Sequence, residues 1–167
     1  MLRIATSTGD EFESALHLIE ENMAPVLSCH GLSCDRSWNR TNLEKRDNYS
    51  IFVDRHWVGF LSLETSDKRL FVHTLQLLPA RQGNIYGLLV FRWLGEQAKE
   101  KSVNMLACKA VRDSAAASLY HRLGFSITAE DGALIELALS LDKLRPDRQP
   151  TLVGRLLPCE TNNGDHH

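Results

Sequence analysis

The sequence predicts an α+β domain built on one mixed β-sheet with helices on both faces. Three observations carry this. Apolar stretches of strand length alternate with amphipathic stretches of helical period, the first half of the chain reads mostly as hairpin-joined strands, and two strand-helix-strand units follow. A chain of 167 residues is long enough for one domain with a full core and short for two. We place the domain at residues 1–144 and read 145–167, with Pro146, Pro150 and Pro158, as an extended tail.

Taken in order, Leu2 to Ala5 reads as a first strand. Thr8-Gly9-Asp10-Glu11 has the spacing of a capping box, in which the Thr and Glu side chains each satisfy a free N–H at the helix start. Phe12, Ala15, Leu16, Ile19 and Met23 then recur at helical spacing, and Pro25 is expected to end that helix. Residues 28 to 48 are polar, with a short helix expected around Trp38 to Lys45. Tyr49 to Val53 and Trp57 to Glu64 read as a hairpin around Asp54-Arg55-His56, and Leu70 to Leu78 as the next strand.

A long helix follows, with Tyr86, Leu89, Val90, Trp93, Leu94 and Ala98 on one face and Arg92, Glu96, Lys99 and Glu100 on the other. Val103 to Ala110 is a strand. Ala116, Leu119, Tyr120 and Leu123 make the apolar stripe of a short helix that Gly124 stops, and Asp113 is the expected N-cap. Phe125 to Thr128 and Ala133 to Leu139 close the domain as a hairpin.

Composition narrows the function classes. Apolar content of 43%, charged content of 24% and a net charge of −2 are those of an ordinary globular protein, with no basic excess to point to nucleic acid. No apolar run reaches the length of a membrane span, and the first residues lack the apolar core of a secretory signal, so a cytoplasmic protein is expected. The four cysteines show no zinc-type spacing; Cys29, His30 and Cys34 lie close together but read better as free thiols, and no metal is expected.

The chemistry concentrates in two motifs. An apolar strand runs through Gln82-Gly83-Asn84-Ile85-Tyr86-Gly87 directly into the long helix. Unpartnered N–H groups at a helix start, the helix dipole and glycines that admit close approach together outline a cradle for a pyrophosphate. Downstream stands Leu119-Tyr120-His121-Arg122-Leu123-Gly124-Phe125. Without this second motif, Gly83 and Gly87 would read better as parts of a tight strand-to-helix turn. No dinucleotide fingerprint or P-loop is present.

With both motifs at this separation, the stretch from about residue 45 to 140 resembles the GNAT superfamily of acyl-CoA-dependent N-acyltransferases. The family's Gln/Arg-x-x-Gly-x-Gly/Ala pattern falls on Gln82 to Gly87, with Ile85 in place of the central glycine, and Asp113 stands where Asn is common. The resemblance implies a sheet splayed between its two central strands, with the acyl-pantetheine of acetyl-CoA in the opening. It implies that Leu75 and Leu77 pair with the pantetheine amides and that Gln82, Gly83, Asn84, Tyr86, Gly87 and Leu88 surround the pyrophosphate. Tyr120 is similar to the family's general acid at the leaving sulfur.

For the base, His73 shares strand parity with Leu75 and Leu77, so its side chain is expected on their face, and imidazole titrates near neutrality. Glu64 ends the preceding strand and could hold a water or the substrate ammonium. The acceptor pocket is expected from the first helix, residues 28 to 48 and the last hairpin, where a surplus of acidic residues mildly favours a cationic amine and Trp38, Tyr49 and Trp57 are candidate lining. The expected reaction is acetyl transfer from acetyl-CoA to a primary amine, on a small molecule or a peptide, in a ternary complex. A catalytically silent CoA-binding domain is the alternative, kept open by Ile85 and Asp113, and a homodimer is compatible with either.

Overall fold

The computed structural model describes residues 1–143 apart from Asn84, so the expected tail at 145–167 lies outside the described residues. Seven strands form one sheet in the order β1-β2-β3-β4-β5-β7-β6. The strands are β1 (Leu2–Thr6), β2 (Asp47–Val53), β3 (His56–Thr65), β4 (Leu70–Leu77), β5 (Met105–Val111), β6 (Ser126–Asp131) and β7 (Leu134–Ser140). Only β4 and β5 run parallel; every other neighbouring pair is antiparallel. The α+β expectation therefore holds, with the parallel pair at the centre.

Helices α1 (Gly9–Cys29) and α2 (Arg36–Leu43) cover one face, and α3 (Ile85–Glu100) and α4 (Ala115–Arg122) cover the other. Ala15, Leu16, Ile19 and Leu43 pack with Phe60 on the first face. The larger core lies on the second, where Val90, Phe91 and Leu94 of α3 and Ala116, Tyr120 and Leu123 of α4 meet Leu61, Val72, Leu75, Leu77, Leu106 and Cys108 of the sheet.

Local chemistry sets the element ends. The Thr8 side chain accepts from Glu11 N while Glu11 accepts from Thr8 N, so the capping box forms as expected. Pro25 does not end α1: the helix continues four residues to Cys29, because Val26 is buried against Val111 and that packing offsets the lost N–H bond. Asp54 and Arg55, at φ 49° and 72°, form the two-residue turn of the β2–β3 hairpin. Asp113 is not the cap of α4. It adopts φ 63°, and Ser114 Oγ accepts from Ala117 N at 3.1 Å instead.

One irregularity positions the site. Ser62 opposes Thr74 and Leu63 opposes Val72, which leaves His73 as the unopposed residue of a β-bulge in β4. A bulge shifts the alternation of side chains by one place. The parity expected for His73 is thereby overturned: Leu75 and Leu77 point into the larger core, whereas His73 lies on the α1/α2 face with Phe71, their rings 4.7 Å apart.

Candidate active site

The central strands part. The β4–β5 ladder has three pairs, Leu70↔Leu106, Phe71↔Ala107 and Val72↔Cys108, although β4 runs on to Leu77 and β5 to Val111. Beyond the last pair the strands fork, and the first residues past it are His73 on β4 and Lys109 on β5. The Gln76 carbonyl lies against Gly59, toward β3, as does the Leu78 N–H that donates to Val58 O. Backbone groups alternate along a strand, so Leu75 and Leu77 turn theirs toward the fork. The Leu77 carbonyl there accepts from Asn22 Nδ2 at 3.1 Å and Gln82 Nε2 at 3.0 Å, which leaves Leu75 as the better backbone partner for a ligand in the opening.

The strand-to-helix turn begins with a single 3₁₀ turn at Pro79–Arg81. Gly83 takes φ 78°, a left-handed conformation suited to glycine. Asn84 lies outside the described residues. Ile85 opens α3 in helical conformation with its side chain 56% exposed, so the β-branched residue in the glycine's place is accommodated without positive φ. The first turn of α3 carries no acidic residue, which leaves its positive dipole end unneutralised. Arg81 Nη1 donates to the Tyr86 hydroxyl at 3.2 Å and its guanidinium lies 5.5 Å from that ring. Gly87 is buried and Leu88 half-buried in α3.

On the α3/α4 face, at the root of the fork, stands Tyr120. It is 2% exposed and lines a cavity of about 10 Å³ together with Val72, Leu75, Cys108 and Phe125. That is room for one water at most. Burial pushes the Tyr120 phenol well above its ordinary value of 10, and the Cys108 thiol up to about 12. Both groups are therefore neutral, and the Tyr120 hydroxyl is a donor that does not ionise.

On the opposite face, His73 Nε2 and Glu64 Oε1 are 3.0 Å apart, and Arg46 Nη1 donates to Glu64 Oε2 at 3.0 Å. The hydrogen bond to His73, ahead of the Arg46 charge, holds the Glu64 carboxyl below its ordinary value. An ionised Glu64 accepts from Nε2–H, so neutral His73 keeps its lone pair on Nδ1. Burial lowers the His73 pKa from 6.5, against the opposing pull of Glu64. His73 is thus an uncharged imidazole at neutral pH.

The remaining acceptor-side expectations separate. Trp38 is 64% exposed, Tyr49 packs on Trp93 on the α3 face, and Trp57 donates to Ser50 Oγ at 3.2 Å on the α1 face, so the three rings do not share a pocket. The acidic surplus of α1 is answered in part by α2: Glu13 pairs with Arg40 and Glu20 with Arg36. The sequence reading passed over Lys109, whose signal was a charge interrupting the apolar run Leu106 to Val111. Among the described residues no three His, Cys, Asp or Glu side chains cluster to hold a metal, and no helix is long and apolar enough to cross a membrane.

Solved structures repeat this overall architecture. The chain superposes on the PaiA N-acetyltransferase of Thermoplasma acidophilum in complex with coenzyme A, with a TM-score of 0.68 over 84% of this chain and 99% of that one. The chain has the GNAT acetyltransferase fold. The ribosomal-protein-S18-alanine N-acetyltransferase of Escherichia coli aligns at a TM-score of 0.65 over 88% of this chain and 98% of that one. A GNAT family acetyltransferase from Elizabethkingia anophelis with acetyl-CoA bound aligns at 0.63, over 84% and 98%. Identities are 16%, 18% and 16%, so the GNAT likeness is one of fold. No protein-family model matches the sequence, and no curated protein matches it.

Proposed function

We propose that the protein is an acetyl-CoA-dependent N-acetyltransferase that acts on a primary amine by direct attack in a ternary complex. The observation that carries this reading is the root of the fork. Past the Val72↔Cys108 pair, His73 and Glu64 stand on one face of the sheet and the Tyr120 hydroxyl on the other, so a thioester seated there has a proton acceptor on one side and a donor on the other. The donor substrate would lie along Leu75 and Leu77, with its pyrophosphate on Gln82, Gly83, Tyr86, Gly87 and Leu88 at the N-terminus of α3. Asn84, expected in the same cradle, lies outside the described residues.

The chain's own groups then have distinct tasks. His73 Nδ1 takes the proton that the amine loses as its C–N bond forms, while Glu64 holds the ring in that tautomer. Tyr120 donates a hydrogen bond to the sulfur as the C–S bond breaks. A simple thiol titrates near 8.5 and an ordinary phenol near 10, so complete proton transfer would be uphill by about 2 kcal/mol, and by more for a phenol raised further. Hydrogen bonding to the departing thiolate, which takes its proton from solvent, is the task that fits Tyr120.

The test is to incubate purified protein with acetyl-CoA and a panel of amines. Amine-dependent release of free thiol supports the reading. A rise in melting temperature with acetyl-CoA but no thiol from any amine would instead favour a silent CoA-binding domain, a reading to which the tight cavity beside Tyr120 lends weight.

A further inference from the structure

The α1/α2 face of the fork carries more positive charge than its carboxylates can neutralise. Glu64 accepts from both Arg46 and His73, and Glu136 accepts from Arg69 Nη1 at 2.6 Å. Both acids are thereby engaged. Lys109 stands directly across from Glu136 in the β5–β7 register, is exposed, and forms no ion pair among the described residues. The Arg46 Nε is buried with no hydrogen-bond partner there. The cationic side of this face is thus left without a matching carboxylate at Lys109 among the described residues.

The geometry points to an acceptor amine that also carries a carboxylate, of the amino-acid class, with its carboxylate on Lys109 and its amine nitrogen beside His73. This assignment rests on the acetyltransfer reading of the same site. His73 and Lys109 are the first residues past the last ladder pair on adjoining strands, a separation of about 5 Å at the backbone that widens along the fork. The amine and carboxylate of an α-amino acid sit on neighbouring carbons and match that span. A polycation would instead set its second ammonium against Lys109 and Arg46, a like-charge arrangement that selects against it. Two of the α1 acids that would favour a polycation, Glu20 and Glu13, are held by Arg36 and Arg40. The Phe71 ring, capped by the Arg69 guanidinium at 4.9 Å, adds an apolar wall on the same face.

The test uses two matched sets of amines: phenylalanine, phenylalaninamide and phenethylamine, and alanine, alaninamide and ethylamine. Thiol release is compared as kcat/KM per neutral amine. Wild type should prefer the free acids over both uncharged-end analogues by about tenfold or more. Lys109→Gln should bring that ratio toward one, and Lys109→Glu should invert it. Equal use of all three members of a set, or a preference that survives both substitutions, overturns the assignment while leaving acetyl transfer standing. Acetyl-CoA binding with no thiol from any amine counts against the acetyltransfer reading instead. The subsite is then read by calorimetric titration of the two amino acids into the acetyl-CoA-saturated protein: binding lost in Lys109→Glu supports it, and no binding, or equal binding of phenethylamine, overturns it.

Discussion

Glu64 Oε1 lies 3.0 Å from His73 Nε2, and this contact fixes which ring nitrogen of the histidine can accept a proton. Burial depresses the His73 pKa below 6.5, so protonation should depress kcat/KM only at pH values under that figure. Glu64→Gln removes a charge that raises the His73 pKa, and the acid limb should move lower still; His73→Gln should abolish it. NMR titration of the imidazole in each variant checks the order. A limb that instead follows the pKa of the amine belongs to the substrate.

The same shift has a stability sign. Because the folded His73 pKa is depressed, the unfolded chain binds more protons below 6.5, and this group's contribution is present above 6.5 and lost as pH falls through the folded value. Urea midpoints of wild type should therefore fall between neutral pH and about pH 5. His73→Gln should flatten that slope.

Tyr120→Phe should lower kcat by about a hundredfold with little change in acetyl-CoA affinity, since in the proposed mechanism the hydroxyl acts only as the C–S bond breaks. The ring stays packed against Phe125 at 5.3 Å, so melting temperature should hardly move. Unchanged turnover in the folded variant would make Tyr120 a core residue and no more.

Ile85→Glu separates phosphate binding from helix stability. A carboxylate in the first turn of α3 complements the helix dipole, so the fold should be as stable as wild type or slightly more so. The same carboxylate should repel a pyrophosphate and weaken acetyl-CoA about tenfold. Equal affinities in a calorimetric titration would move the phosphates away from this turn.

Gly59→Ala tests how closely β3 and β4 must approach at the fork. A Cβ there would fall 2.8 Å from Leu77 Cδ2 and 2.4 Å from the Gln76 carbonyl, and the second contact is relieved only by a backbone shift. We expect a loss of about 2 kcal/mol in chemical denaturation and weaker acetyl-CoA binding, because the shift displaces the Leu75 to Leu77 edge.

Much of this arrangement was legible as pattern. The Thr8/Glu11 box and the helix after Gly83 follow from short-range chemistry and formed as read, and the β2–β3 hairpin turns one residue more tightly than read, with His56 already in the strand. What escaped the reading depends on tertiary context. The bulge at His73 reverses a parity argument that is sound for an ideal strand, and a register between two strands is not written in either one alone. Pro25 was outweighed by packing of Val26, and Asp113 yielded its capping place to Ser114, one residue away. Lys109 acquires its position only when β5 parts from β4.

The forked sheet is, in mechanical terms, two plates joined along a short seam. Three parallel pairs tie β1 to β4 to the remaining strands, and much of the cohesion across the seam falls to apolar side chains, Val72, Leu75, Leu106, Tyr120 and Phe125 among them, with the Arg69–Glu136 ion pair beside them. Dispersion and burial act without direction, so such a joint resists separation yet tolerates small changes of angle that a longer hydrogen-bonded ladder would forbid. The gap between the plates is thereby adjustable, its stiffness a matter of side-chain size and fit more than of ladder length.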